Sequence, residues 1–295
     1  LAFHARLFNI GGEGQAYVGG LGVGLVCLVF DQHVVGFLVT ILAILGSVIF
    51  GAIWGIIPGY LQAKRGSHIV ITTIMFNFIA AALMVYLLVN VIIEPGQMSP
   101  ETRDFASGVG LVQIHVLAKY LGLDMAMSPL NLSFIVALIV SAGFWFLVWR
   151  TKFGYEVRSL GHSETAAIYA GIKVSSTIII VMAISGGLAG LVAINELLGV
   201  HNKLLLGFTA GYGFTGIAVA LMGRNHPFGI FLASLLFGAL YQGGTELDFE
   251  FSSITREMVL LIQGLIILFS GALAYMLNPL VERAYLKYFG NYNNA

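Results

Sequence analysis

Residues 150–173 read Arg150-Thr151-Lys152-Phe153-Gly154-Tyr155-Glu156-Val157-Arg158-Ser159-Leu160-Gly161-His162-Ser163-Glu164-Thr165-Ala166-Ala167-Ile168-Tyr169-Ala170-Gly171-Ile172-Lys173, a polar island between the apolar runs 129–149 and 174–200. A bilayer core of ~30 Å needs roughly 20 apolar residues to cross it, so each flanking run can be a span. Within the island the residues prescribe a short helix. Ser163 is a good N-cap, because its hydroxyl can accept an orphan backbone N–H of the first turn. Glu164 follows where a carboxylate favours the helix dipole, and Gly171 supplies the C-terminal stop. Ala166, Ala167 and Ala170 are small enough for another surface to come close, with Ile168 and Tyr169 as larger contacts. A capped helix between two spans is a handle for a soluble partner.

The whole chain shares the character of the flanks. Apolar residues make up 58% of it and charged residues 9%, with a mean hydropathy of +0.93. Soluble domains carry about a quarter charged residues, so the fold class is all-α, a polytopic transmembrane bundle. The expected spans are 15–30, 34–57, 69–93, 129–149, 174–200, 227–241 and 258–277. The run 211–222 is too short to cross alone and reads as a half-helix or re-entrant piece. The organisation expected is one transmembrane domain over 1–295, with 150–173 as a loop. Cys27 lies inside an apolar run without a mate and reads as a small packed hydrophobe. The chain opens at Leu1 with no signal-peptide pattern. The expectation is a truncated N-terminus with one or two earlier spans.

Lys64, Arg65, Arg150, Lys152, Arg158, Lys173, Arg224, Arg283 and Lys287 fall on one side when the spans alternate, which the positive-inside rule assigns to the cytoplasm. The C-terminus is then cytoplasmic. The opposite loops carry Asp31, 94–128, 201–203 and 246–250, with Arg103, Lys119, Lys203 and Arg256 as their basic residues. The alternation closes only if 211–222 returns the chain inward, helped by 204–210 or by non-helical backbone shielded by protein. Among the glycines, Gly20, Gly22, Gly24, Gly186, Gly187 and Gly190 fit close helix–helix contact.

Chemistry is sparse. No G-x-x-x-x-G-K-[ST] phosphate loop occurs, so any nucleotide site belongs to another polypeptide. There is no paired-Cys or H-E-x-x-H metal signature, no expected cofactor and no catalytic constellation; Ser185 does not fit G-x-S-x-G and reads as a packing serine. Asn9-Ile10-Gly11-Gly12-Glu13-Gly14-Gln15 is more informative, since three glycines surround a carboxylate at the edge of a span. Glycine lets backbone leave helical geometry and face a cavity, and an acid at membrane depth lines a pathway or pairs with a partner. The alternative is a solvated Glu13 at the interface. A second break, 207–216, opens the short run, and two broken segments in the two halves are the pattern of an internal repeat around a central site. Tyr212 and Phe214 there can stack on a planar ligand or face lipid. Asn77 and Asn195 are polar groups within apolar runs that either bond a neighbouring helix or meet a solute hydroxyl.

Four ordered stretches together resemble one family. Residues 8–15 resemble its N-I-G-x-E-G-Q element, 68–77 its E-V-I-x-T-x-M-L-N element, 161–172 its coupling loop G-x-N-x-x-A-A-x-Y-x-G-I, and 211–225 its G-Y-G-F-x-G-I-A-V-A-L-L-G-R-N run. The family is the permease subunits of bacterial ABC importers for simple sugars and nucleosides, within the branched-chain amino acid and ribose permease group. His68 stands where the family often has Glu, and Ser163 replaces the usual Asn while keeping capping ability. The resemblance implies a non-enzymatic, multi-pass subunit of the bacterial cytoplasmic membrane. Its implied partners are ABC ATPase subunits, a second permease, homologous or identical, an extracytoplasmic solute-binding protein and membrane lipid, with no nucleic acid. It implies a solute pathway at Asn9, Glu13, Gln15, Asn77, Asn195, Tyr212 and Phe214. ATPase coupling would fall on Gly161, Ser163, Glu164, Ala166, Ala167, Tyr169, Ala170 and Gly171. The competing class is an ion-coupled secondary transporter, for which Glu13 and Glu196 are the candidate acids.

Overall fold

Long apolar runs of good helix formers, broken by glycine or polar caps, become helices in the computed structural model. It describes residues 1–250 except 121 and 125, then 255, 257–266 and 268–269. A 3₁₀ turn over Ala2–Ala5 leads to α1 (Gly12–Phe30), α2 (Gly36–Arg65), α3 (Ile69–Asn90) and the short α4 (Ile114–Tyr120). Then come α5 (Ser133–Arg150), α6 (Lys152–His162), α7 (Glu164–Tyr169), α8 (Val174–Gly190), a π-helical segment Ile194–His201, α9 (Tyr212–Met222) and α10 (Pro227–Glu250). Six helical stretches among the described residues are long and apolar enough to cross a membrane. The chain divides into two compact units, Leu1–Ile217 and the part from Ala218 on.

The boundaries depart from the hydropathy reading for local reasons. α1 begins at Gly12 because Glu13 and Gly14 already belong to its first turn. α2 runs on to Arg65, past the apolar stretch, until Gly66 at φ 68° turns the chain. Residues 174–200 do not form one uniform helix: α8 ends at Gly190 and the run resumes as the π turn that carries Asn195 and Glu196. Of the last expected span, 258–277, only the part within 257–266 and 268–269 is described; Arg256, Arg283, Lys287 and the C-terminus lie outside the described residues.

The first unit is organised by backbone contact. Ser47, Gly51, Gly55 and Gly59 form one face of α2 at four-residue spacing. Opposite them, α8 presents Gly190, Gly186 and Met182 in the reverse direction, so an added Cβ at Gly51 would strike the Gly186 carbonyl and one at Gly186 the Gly51 carbonyl. Ser47 Oγ donates to the Gly190 carbonyl at 2.6 Å. α1 uses the same device: Gly22 abuts Gly46, and Gly19 abuts Gly190. With little apolar gain available between helices in lipid, such close packing is what holds them together.

Residues 204–213 run back beside α1 in the opposite direction. Leu204 fills the space over Gly24, the Phe208 ring that over Gly20, and Gly213 meets Gly12 and Glu13. Leu204, Phe208 and Thr209 are buried, while Leu206, Gly207 and Ala210 are exposed, so the turn-rich stretch is covered by protein on the side that faces α1.

At the end of α1 away from its N-terminus, residues 100–111 clasp 198–206. Thr102 N–H bonds the Leu204 carbonyl, Phe105 N–H that of Asn202 and Leu111 N–H that of Leu198. Asp31, just past α1, takes both Arg103 guanidinium arms at 2.7 and 2.8 Å and the Ala106 N–H at 2.9 Å. The Arg103 hydrogen bonds hold the Asp31 carboxyl below its ordinary value, Ala106 adds to this, and burial works against both. In the second unit, Val219, Ala233 and Phe237 form a small core between α9 and α10, and Gly223 lies against Gly229.

Two expectations follow. Gly186→Val should cost about 1–3 kcal/mol of overpacking and lower the thermal midpoint in detergent. Gly143→Val on α5, where an added Cβ meets nothing, should leave it unchanged. A depressed carboxyl stabilises above its unfolded value, about pH 4, and that stability is lost as pH falls through the lower folded value. Asp31→Asn should therefore lower the thermal midpoint at neutral pH and flatten its decline below about pH 4, measured in the same assay.

Candidate functional site

The two glycine-rich breaks meet. Asn9, Gly11 and Gly14 hold the chain entering α1, and Gly207 and Gly211 turn the chain entering α9. Glu13, in the first turn of α1, reaches across to the second break. Its Oε1 accepts the Thr209 hydroxyl at 2.5 Å and the Gly211 N–H at 3.1 Å, and its Oε2 accepts the Gly213 N–H at 2.8 Å. Gly211 has φ 81°, a left-handed conformation that suits glycine, and that turn helps aim the two N–H groups at one carboxylate. Glu13 thus sits against the N-terminal turns of α1 and α9 together, where negative charge is favoured by both helix dipoles. Gly12 and Gly213 are in backbone contact, so a Cβ at Gly213 would strike Glu13.

The other side of the α1 start is held by α3 and α8. Asn77 Oδ1 accepts the Gly14 N–H at 2.9 Å and its Nδ2 donates to the Ile10 carbonyl at 2.9 Å. That amide satisfies one of the N–H groups a helix start leaves without an intrahelical acceptor. Gly14 lies directly on the α3 backbone, where an added Cβ would come within 2.9 Å of Asn77 Cα. Thr73 Oγ1 accepts the Ile10 N–H at 3.3 Å. Asn9 Nδ2 donates to Gln15 Oε1 at 3.0 Å and to Ser185 Oγ at 3.1 Å, while its Oδ1 accepts the Gly11 N–H at 2.9 Å. Gln15 is buried.

This node lies well inside the bundle. Asn77 is eight residues along α3 from Ile69, about 12 Å at the ~1.5 Å helical rise. Ser185 is eleven residues along α8 from Val174, about 16 Å on the same scale. Glu13 is therefore bonded within the protein through both carboxylate oxygens.

Four of the seven pathway candidates, Asn9, Glu13, Gln15 and Asn77, belong to the node, and Tyr212 and Phe214 stand beside it in the first turn of α9. Phe214 is half exposed. Asn195 is elsewhere, on the π segment. Its Oδ1 accepts from Asn131 Nδ2 at 3.1 Å and Ser133 Oγ at 2.8 Å, and its Nδ2 donates to Glu196 Oε1 at 2.9 Å. It ties the π segment to the start of α5, the helix-bonding alternative. Thr209, Thr73 and Ser185 complete the network and were not singled out as site residues from sequence. The position of Thr209 inside the second glycine break is the signal that could have found it.

On the polar island, the Ser163 hydroxyl accepts the Ala166 N–H at 3.3 Å as the N-cap of α7, and Gly171 ends it at φ 78°. Gly161 packs on His4, and Ala167 is buried within the chain at 1% exposure. The outward surface is therefore Glu164, Thr165, Ala166, Ile168, Tyr169 and Ala170, with Tyr169 at 94% exposure standing farthest out. Among the described residues no group of His, Cys, Asp and Glu is placed to hold a metal.

Glu13→Gln would turn an NH₂ toward a backbone N–H and keep at most one acceptor oxygen. Hydrogen–deuterium exchange over 205–217 should rise in this variant, since an unsatisfied buried donor costs about 1–3 kcal/mol; unchanged exchange would remove Glu13 as the pin.

The family model for the permease component of the branched-chain amino acid transport system matches residues 1–271. A guanosine ABC transporter permease of Bacillus subtilis is 35% identical over 286 residues, covering 96% of this chain and 79% of the relative. A glucose ABC transporter permease of Haloferax volcanii is 31% identical over 275 residues, covering 91% and 70%. A nucleoside ABC transporter permease of Lactococcus lactis is 30% identical over 285 residues, covering 96% and 77%. No solved structure matches the chain.

Proposed function

Since the chain belongs to the permease-component family of the branched-chain amino acid transport system, we propose that it is the membrane permease subunit of an ABC importer in the bacterial cytoplasmic membrane, carrying a nucleoside or a simple sugar. The observation that carries this is the family match over residues 1–271, and the guanosine and glucose relatives supply the two solute classes. ATP is hydrolysed on separate subunits. A binding protein delivers solute from outside, and a second permease, homologous or identical, completes the path.

In this reading the node around Glu13 builds the pathway wall. Asn9, Glu13, Gln15 and Asn77 fix the start of α1 at membrane depth, and thereby set where Tyr212 and Phe214 stand at the start of α9. Polar groups at such depth are expensive unless they are used. Their bonds here are mutual, so their contribution is to shape the passage, while the aromatic rings of α9 supply a stacking surface for a planar base or the apolar face of a sugar.

The helix α7 is the coupling element. Capped at Ser163 and stopped at Gly171, it is short and stiff, and Ala167 and Gly161 root it in the chain. Ile168, Tyr169 and Ala170 face outward to the ATPase. ATP-driven closure would be transmitted through α7 to α8, which follows it directly and carries Ser185 of the node.

Reconstituted with its ATPase subunits, companion permease and binding protein, the chain should accumulate guanosine or glucose only with ATP and Mg²⁺. Uptake by the chain alone on a proton or sodium gradient would establish the secondary-transporter alternative. Tyr169→Ala should preserve membrane insertion and cut solute-stimulated ATP hydrolysis at least about tenfold, the effect of losing ~1.4 kcal/mol at a contact. Normal stimulation would place coupling elsewhere.

A further inference from the structure

The described arms of the segment 112–132, around 112–114 and 130–132, pair as a hairpin at the outer end of α5, the end opposite Arg150. Gln113 pairs with Asn131 in an antiparallel bridge, Ile114 N–H bonds the Leu130 carbonyl at 2.8 Å, and Leu132 N–H bonds the Val112 carbonyl at 3.1 Å. His115 Nδ1 lies 3.1 Å from the Ser128 carbonyl, an acceptor only, so that nitrogen carries the proton. The hairpin is thus fastened within a residue of Ser133, where α5 begins.

Among its described residues the exposed surface is mostly apolar. Val112, Val116, Leu117, Tyr120, Leu123 and Met127 are all exposed, Tyr120 at 86% and Met127 at 92%. Its charged residues are Lys119 and Asp124, formally cancelling. The neighbouring clasp is of opposite character, with Glu101, Asp104 and Lys203 paired at its surface. α5 itself is peripheral: along its length only Val148 is buried in this chain, and Ile135, Leu138, Ile139 and Phe146 face outward. The hairpin therefore continues the outward apolar surface of a spanning helix at the level where hydrocarbon gives way to headgroups. Tyr and Lys are the residues that anchor at that level, with ring or stem in the apolar zone and polar tip in water. His115, Val116, Lys119, Tyr120 and Met127 line an open cleft of about 570 Å³.

We propose that the hairpin 112–132 is an interfacial membrane anchor, its occupant the phospholipid of the leaflet at the outer end of α5. Leu123, Met127 and the Tyr120 ring lie among the upper acyl segments, and Lys119 reaches lipid phosphate. Apolar contact carries the association, so the net-neutral hairpin is indifferent to the anionic fraction of the membrane. It holds the outer end of α5 at a fixed depth, and through the Asn131 and Ser133 bonds to Asn195 it does the same for the π segment.

The test places a nitroxide at Tyr120→Cys, at Met127→Cys and, as the control in the same outer loop, at Met98→Cys, which is fully exposed. The buried Cys27 is kept, and the unsubstituted chain is the labelling blank. The full chain is reconstituted in phosphatidylcholine vesicles with and without phosphatidylglycerol. Collision rates are read by power-saturation paramagnetic resonance against oxygen, which partitions into lipid, and a water-soluble nickel chelate. The oxygen-to-nickel ratio at 120 and 127 should exceed that at 98 several-fold and stay unchanged when phosphatidylglycerol is added. Nickel-dominated collisions at 120 and 127 would put the hairpin in water and overturn the proposal. Low rates with both reagents would mean a protein covers it, and would overturn it equally. A ratio that rises only with phosphatidylglycerol would replace apolar anchoring with headgroup recognition.

Discussion

A single carboxylate joins two helix starts inside this bundle. Glu13 accepts from Thr209, Gly211 and Gly213, while Asn77 secures the opposite side of the same turn. A helix beginning within the apolar zone exposes N–H groups that lipid cannot satisfy, each costing several kcal/mol. Two such beginnings facing one anion turn that liability into an attachment. Had α1 been a plain apolar span, nothing would fix where it starts, and the Gly211 and Gly213 N–H groups would lose their acceptor.

The glycines make this geometry reachable. Gly12 against Gly213, Gly14 against the α3 backbone, and Gly20 and Gly24 beneath Phe208 and Leu204 let an irregular chain lie on α1 without a gap. The Gly51, Gly55 and Gly186 contacts bring α2 and α8 together at backbone distance and so carry Ser185 to Asn9. Side-chain bonds among Asn9, Gln15 and Ser185 require that approach. Packing sets the positions, and the polar bonds then hold them.

Much of this was legible in the sequence. Hydropathy and helix length give the spans, since lipid leaves few alternatives. Ser163 and Gly171 announce their caps through local chemistry, and the short run 211–222 is a helix of matching length, Tyr212–Met222. What the sequence concealed is pairwise. Nothing in residues 9–15 says that their partner lies about 200 positions away, because the acceptor geometry arises only when 204–213 folds back along α1. Asn77 read as a helix-bonding or solute-facing amide, and its bonds to the Ile10 carbonyl and the Gly14 N–H are those of the first. Ala167 shared the small-residue pattern of Ala166 and Ala170, yet the turn of α7 points it inward. The π segment was hidden because its composition is that of an ordinary span, and its amide contacts come from α5.

The central claim is that Glu13 shapes the passage by pinning the two helix starts, so its removal should spoil transport while leaving the subunits together. The direct measurement is guanosine and glucose uptake by the reconstituted complex carrying Glu13→Gln, with the amount of co-purified ATPase measured on the same preparation. The account predicts wild-type ATPase recovery with uptake of either solute reduced about tenfold or more, the effect of losing ~1.4 kcal/mol of positioning. Wild-type uptake with full recovery would contradict it.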